Sequence, residues 1–263
     1  MGVVNVTPDS FSDGGRFLPV DAAIAHGLAL IAEGADLLDI GGESTRPGAD
    51  AVSVDDEIAR IVPVITGLRA ATDRPISIDT RKAAVAEAAI KAGASLWNDV
   101  TALSGDPAAL ATAARLGVPV ILMHMQGEPQ TMQADPRYGD VVAEVCAYLV
   151  ERANLAMVAG VAREAISLDP GIGFGKTLNH NLTLLAHLDA LKALGFPVVL
   201  GVSRKRFIQG LDPSATEPTD RLGGSIAAAL AGARAGVDVL RVHDVGPTAQ
   251  ALAVWQAIEA GRA

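Results

Sequence analysis

PISIDTRKAAVAEAAIKAGASLWNDV, residues 75–100, holds one complete structural unit. A short β-branched run, 75–79, ends on a carboxylate. An alanine-rich helical stretch, 81–92, follows it. Gly93 then stops the helix, because glycine meets no steric penalty in the left-handed conformation that commonly ends one. A second apolar run, 95–100, begins at once and carries Asn98-Asp99 near its end. Two strands joined through a helix are too far apart in sequence for a hairpin, so they lie parallel, with a right-handed crossover.

The same grammar recurs along the whole chain. Strands are expected at 2–6, 36–40, 75–79, 95–100, 118–123, 165–169, 197–202 and 237–242, and helices at 20–33, 54–71, 81–92, 107–116, 141–159, 181–194, 219–235 and 247–260. Ser53 with Asp56 makes an N-terminal cap, and Asp55, Asp56 and Glu57 suit the positive end of the helix dipole. Gly93, Gly117, Gly195 and Gly236 stand where helices must stop. Val120-Ile121-Leu122 and Val198-Val199-Leu200 lack alternation, which suits strands buried on both faces. No linker or low-complexity tract interrupts the pattern, so residues 1–263 read as one domain.

Eight such units can form an open doubly wound sheet or a closed barrel. An open sheet binds its ligand at one switch point, served by a few strands. In a barrel all strand ends face one mouth. Here every expected strand ends at or just before a polar residue: Asn5, Asp39, Asp79, Asn98, His124, Asp169, Ser203 and His243. Turn propensity explains any one of these, but not all together. The expectation is therefore α/β, a single (β/α)8 TIM barrel.

Composition narrows the function. Half of the 263 residues are hydrophobic, which excludes a disordered chain. One cysteine excludes a disulfide framework and fits a reducing, cytoplasmic setting. No apolar run approaches the roughly 18 residues that span a bilayer. No signal peptide is expected, since the first residues carry no basic region, and Val6 spoils a myristoylation motif at Gly2. The net charge of −9 disfavours nucleic acid and anionic membranes. Taken as a sum, it also disfavours an anionic substrate.

The strand ends and loops carry the chemistry. The first loop, 5–15, is rich in Gly, Asp and Ser, and Asn5 offers a hard amide oxygen suited to Mg2+. The second, 41–48, sets a hydroxyl, the Arg46 guanidinium and the rigid Pro47 between glycines, a pattern suited to closing over an anion. Asp79 and Asp169 can take a two-donor heterocycle edge through charge-assisted bonds; the competing expectation is an ion pair with Arg81 or Lys205. The run 169–177 imitates a P-loop, but Pro170 stands where its first glycine belongs. Its glycines instead let backbone approach a ligand, with Phe174 as an apolar wall. Arg204, Lys205 and Arg206 open a helix after strand seven. Arg241 and His243 alternate on strand eight, so both face one side. Loops after strands seven and eight form the recurrent phosphate site of such barrels; a solvated basic rim is the plainer alternative. His26, His180 and His187 lie beside helices and read as surface residues, and Met123 reads as core.

Residues 5–15, 41–48, 77–82, 98–99, 124–127, 169–176, 203–205 and 241–245 together, in order, resemble dihydropteroate synthase, of the pterin-binding TIM-barrel family. The resemblance implies condensation of (7,8-dihydropterin-6-yl)methyl diphosphate with 4-aminobenzoate, giving 7,8-dihydropteroate and pyrophosphate by an SN1-like displacement with Mg2+. It implies that Asp79, Asn98, Met123, Asp169 and Lys205 hold the pterin, and that Asn5, Arg241 and His243 hold diphosphate and metal. Thr45, Arg46, Pro47, Phe174 and Arg206 are implied for aminobenzoate, and Asp39 for support behind the pterin site. It further implies a homodimer, a cytoplasmic enzyme and a target of sulfonamides. Arg206 stands where many members carry Ser, which keeps the backbone N–H and loses a hydroxyl. The family usually has a short segment before strand one, so the lower cap of the barrel is expected to be missing or built differently. Two other readings share the pterin logic. A methyltetrahydrofolate:corrinoid methyltransferase has no need of 204–206 or of the 45–47 loop. Intact Asn5, Asp79, Asp169, Lys205 and His243 argue against a folate-binding homologue that has lost catalysis.

Overall fold

A computed structural model describes residues 1–6, 18–44 and 51–261. It contains the eight expected strands, shorter than expected, with β2 shifted to end one residue later: β1 (Gly2–Asn5), β2 (Leu38–Gly41), β3 (Ile76–Asp79), β4 (Leu96–Asp99), β5 (Val120–Met123), β6 (Ile166–Asp169), β7 (Val199–Gly201) and β8 (Val239–Arg241). β1 to β6 pair in sequence order, all parallel, and β7 pairs with β8 in the same sense. Single bridges, Leu168 to Val198 and Gly2 to Val242, join the two sheets at both seams. The ring closes, and the fold is a (β/α)8 barrel.

The helices around it are α1 (Leu18–Ala32), α2 (Val54–Ala71), α3 (Ala83–Ala92), α4 (Ala109–Leu116), α5 (Val141–Ala159), α6 (Leu178–Ala186), α7 (Leu188–Lys192), α8 (Arg206–Leu211), α9 (Leu222–Arg234) and α10 (Val245–Ala260). The Ser53 hydroxyl accepts from Asp56 N–H at 3.1 Å, the cap that the sequence announces. Gly93 takes φ 116°, and its N–H turns back to the Ala89 and Ile90 carbonyls. One feature departs from expectation. The helix expected over 181–194 breaks at His187, whose φ −123° and ψ 37° leave the helical region. The short helix α8 begins at Arg206, where the cation run after strand seven is expected to open a helix.

Strand parity sorts the core into two regions. Val4, Ile40, Ile78, Trp97, Leu122, Leu168 and Leu200 point outward and are fully buried beneath the helices. Each such large apolar side chain contributes about 1.5–3 kcal/mol of burial. Met1, Ile121 and Val199 point inward and, with Leu37, Leu96 and Val239, form an apolar floor. Above that floor the inner face turns polar. Asn5, Gly41, Asp79 and Asn98 are register partners at the C-terminal ends of β1 to β4, and Met123 pairs with Asp169 and Gly201 with Arg241. A closed ring of parallel strands thus gathers these side chains at one mouth, whatever their distance in sequence.

Candidate active site

Arg241 enters the mouth from β8 and is shared by two carboxylates. Its Nε donates to Asp39 Oδ2 at 2.6 Å and its Nη2 to Asp79 Oδ2 at 2.7 Å. Asn98 Nδ2 donates to the same Asp39 oxygen at 3.1 Å, so fully buried Asp39 orients both groups from below. Burial works against the Arg241 charge, but Asp39 and Asp79 overcome it and hold the guanidinium above its ordinary value. Two carboxylates against one cation leave an excess negative charge. Asp79 carries the consequence: burial pushes its carboxyl up to about 7, Arg241 opposes, and Asp39 adds to the rise. Its Oδ1 is buried without a hydrogen-bond partner. The sequence offers Arg81 or Lys205 as the ion-pair partner of Asp79. The structure corrects this, since Arg241 takes that place and Arg81 pairs with Glu43 Oε2 at 3.3 Å.

Asp169 lies on β6. Its Oδ1 accepts from Gly171 N–H at 2.7 Å. Burial raises its carboxyl, with the Gly171 N–H and the Lys205 and Arg241 charges opposing. Lys205 Nζ lies 4.2 Å from the centroid of the Phe174 ring, a cation–π distance. Burial and the Arg241 charge bring this ammonium down to about 8, against the pull of Asp169 and Asp79. Asp79, Asn98, Met123, Asp169, Phe174, Lys205 and Arg241, with Val100, Gly171, Ile172 and Gly201, line one cavity open to solvent. Carboxylate acceptors, an amide and an ammonium surround the apolar Met123 and Ile172. A flat, nitrogen-rich ring with a donor edge is what such a site can hold.

The loop after β6 forms one wall. Gly171, Gly173 and Gly175 have φ 65°, 85° and 61°. A Cβ on Gly171 would lie 1.9 Å from the His124 carbonyl oxygen, and one on Gly175 2.3 Å from that of Gln126. Buried Lys176 ties this loop down. Its Nζ reaches His124 Nδ1 at 2.9 Å and the Gly171 and Phe174 carbonyls at 3.0 Å each. While Lys176 is an ammonium it only donates, and His124 Nδ1 then accepts, with the ring proton on Nε2. Burial, then Lys176, pushes the His124 ring down to about 3, and burial brings Lys176 down to about 7. His124 therefore does not face the mouth as its place at a strand end suggests. It lies edge-on to Tyr148, on the outer side of the barrel wall. Sequence reasoning assigns Lys176 no role of its own once the P-loop is rejected. A lysine closing a glycine run is its only sequence signal.

The β7 and β8 loops meet at Ser203 and His243. His243 N–H donates to Ser203 Oγ at 3.1 Å, and its Nδ1 lies 3.2 Å from the same oxygen. Burial, with the Arg241, Arg204 and Lys205 charges behind it, pushes the His243 ring down to about 3, so it is neutral at pH 7. The sequence counts Arg204 among the cations of the mouth. It is instead bound twice by Asp244, at 2.9 and 2.6 Å. The Arg206 side chain is exposed at the start of α8 and does not line the cavity. Asn5 is half-buried at the end of β1. Thr45, Arg46 and Pro47 lie outside the described residues. Among the described residues no group of three or more His, Cys, Asp or Glu could hold a metal ion.

The family model of pterin binding enzymes matches residues 1–243 of this chain. The dihydropteroate synthase of Escherichia coli (strain K12) is 46% identical over 257 residues, 98% of this chain and 90% of that protein. That of Neisseria meningitidis serogroup C is 49% identical over 261 residues, 98% of this chain and 92% of that protein. Among solved structures, Xanthomonas albilineans dihydropteroate synthase with 4-aminobenzoic acid superposes with a TM-score of 0.93 at 55% identity, covering 99% of this chain and 92% of that one. The same enzyme in complex with 7,8-dihydropteroate gives 0.90 at 52% identity, covering 99% and 93%. The Yersinia pestis enzyme in a sulfonamide drug complex gives 0.93 at 44% identity, covering 99% and 94%.

Proposed function

The chain belongs to the pterin-binding enzymes and, within them, to the dihydropteroate synthases, transferases of folate biosynthesis; from that premise we propose how its own residues work. The substrates are (7,8-dihydropterin-6-yl)methyl diphosphate and 4-aminobenzoate. The bond from the pterin methylene to the diphosphate oxygen breaks first, in an SN1-like step, and the electron pair leaves with pyrophosphate. The ring delocalises the resulting cation. The arylamine lone pair then forms the C–N bond, and its surplus proton passes to water.

Asp79, Asn98 and Asp169 take the donor edge of the pterin, Lys205 lies on the ring and Met123 packs against it. The observation that carries this reading is the pair of inward carboxylates, with Asp79 Oδ1 buried and unpartnered. A buried acceptor without a donor is costly unless a ligand supplies one. Asp39 keeps Arg241 and Asn98 in place. Arg241 and neutral His243 take the leaving diphosphate. With the Ser203 hydroxyl donating to Nδ1, the His243 Nε2–H is free to donate. Phe174 borders the aminobenzoate, which Thr45, Arg46 and Pro47 complete; Arg206 contributes its backbone N–H.

The donor set fits Mg2+ held mainly by substrate. Asn5, half-buried at the C-terminal end of β1, offers one hard amide oxygen, and its register partner Gly41 carries no side chain beside it. A magnesium ion bound through one protein oxygen, waters and diphosphate is within its ordinary habits. When bound, it would neutralise charge developing on the leaving group.

We further propose a cytoplasmic homodimer and a sulfonamide-sensitive enzyme. Val254 and Ile258 of α10, 58% and 52% exposed, support a second copy covering this face; light scattering tests it. No helix among the described residues is long and apolar enough to cross a membrane. The deciding experiment is pyrophosphate release from the pterin diphosphate with and without 4-aminobenzoate. Formation of dihydropteroate on adding the amine is expected. No product, with or without it, overturns the reading.

A further inference from the structure

We propose that Arg204 and Asp244 form a clamp across the β7 and β8 loops that positions Ser203, Lys205 and His243, so that Arg204 is a positioning residue and not a ligand of the diphosphate. The inference rests on the proposed function of this site.

Arg204 has φ 59°, a left-handed conformation that L residues with long side chains seldom adopt. Such strain persists where the surroundings over-determine it. Here the backbone and the guanidinium of the residue are both engaged. Its N–H donates to Ser225 Oγ at 2.8 Å, and its carbonyl accepts from Arg221 Nη1 at 3.1 Å. Its Nε and Nη2 donate to the two oxygens of Asp244. Arg221 is itself buried and braced by the Ala215 carbonyl and Gln209 Oε1, at 3.1 and 3.0 Å.

Asp244 makes an unusual choice in return. It is the N-cap residue of α10, where an aspartate ordinarily accepts from its own helix. Its side chain makes no cap bond, and both oxygens go to Arg204. The flanking residues are those that the reaction needs. Ser203 precedes Arg204 and holds His243, which precedes Asp244; Lys205 follows Arg204 and lies over Phe174. One bidentate pair therefore fixes the spacing of both loops. The left-handed turn at Arg204 is what lets Ser203 reach His243 while Lys205 turns into the cavity.

The two views of Arg204 predict opposite signs for Asp244→Asn. If Arg204 were a ligand held back by its partner, removing that negative charge would strengthen anion binding. If it is a clamp, the same change loosens the site. Inorganic pyrophosphate binding by calorimetry and steady-state kinetics on the full chain, normalised to folded protein by circular dichroism, distinguish them. We expect D244N to bind pyrophosphate at least fivefold more weakly and to lose at least tenfold in kcat, with the KM for 4-aminobenzoate changed less than threefold. R204K keeps the charge but not the fork, and should lose as much; the double variant should lose little more, as two halves of one contact do. Should D244N fail to fold, R204K carries the same test. Equal or tighter pyrophosphate binding in D244N, or full activity in R204K, overturns the clamp. An inert wild type that still binds pyrophosphate overturns the synthase reading and leaves the clamp to the binding data.

Discussion

Replacing Asp39 by Asn tests whether a carboxylate that faces no substrate sets the pH at which the site works. Asp39 is fully buried, and Asp79 shares Arg241 with it. Asp79 sits at about 7 because it is buried, because Arg241 only partly offsets that, and because Asp39 repels its charge. The amide introduced by Asp39→Asn would keep an oxygen for Arg241 and Asn98 while removing the negative charge. Two unit charges roughly 6 Å apart at an effective dielectric of about 20 interact by about 3 kcal/mol, or about two pKa units. Relaxation takes part of that, so the Asp79 carboxyl should fall by about one to two units, to roughly pH 5–6. A pterin edge with N–H donors needs the ionised carboxylate. The wild type should therefore lose kcat/KM for the pterin diphosphate as pH falls through about 7. In Asp39→Asn that acid limb should move to lower pH, whatever happens to the plateau. The measurement is kcat/KM at saturating 4-aminobenzoate from about pH 5 to about pH 9, since this ratio reports groups of the free enzyme. A limb that stays in place, or moves upward, refutes the reasoning.

Other outcomes follow from the same geometry. His243→Ala should lower turnover by about 10²-fold, as lost leaving-group donors do, while pterin affinity changes little; equal losses in both would remove His243 from that role. Lys176→Met should weaken pterin binding by at least about tenfold, because one buried hydrogen bond from a charged group already contributes about 1.5–3 kcal/mol; equilibrium titration with the pterin substrate in the absence of amine reads it. Gly171→Ala meets both a positive φ and a backbone oxygen 1.9 Å from the new carbon. It should cost more than about 1 kcal/mol of stability and pterin binding too, read by denaturant unfolding and by the same titration.

How much of this was legible depended on range. The βα grammar is local: a capped start at Ser53, a glycine stop at Gly93 and an apolar run after it are all within a few residues, and each strand appeared where expected. The break at His187 was not legible, since nothing in a continuous apolar periodicity marks one residue leaving the helix. Strand ends told which residues gather at a mouth, because closure forces it. They did not tell which way His124 turns, one place beyond the inward Met123, nor that Lys176 would wait behind the wall. Above all, partners were invisible. Arg241 meets Asp39 and Asp79 across separations of 202 and 162 residues, and no spacing rule reaches that far.

Those hidden partners change what the charge of the mouth can do. From sequence, Arg46, Arg204, Lys205, Arg206 and Arg241 make a positive island in an acidic chain, and such an island would steer a diphosphate inward through long-range attraction. Among the described residues the island is already spoken for. Arg204 is matched by Asp244, Lys205 faces Asp169, and Arg241 answers two carboxylates. Only the exposed Arg206 remains uncompensated there. Attraction at a distance is then weak, and the diphosphate is held by short, directed contacts once it arrives. Salt separates these cases, because charges beyond a Debye length of about 10 Å at 0.1 M are screened while contacts are not. Raising KCl from about 0.05 to about 0.3 M should lower kcat/KM for the pterin diphosphate less than about threefold. A fall of about tenfold or more would mean that the mouth keeps a net positive field, and that the pairings around Arg204 and Arg241 open before substrate reaches them.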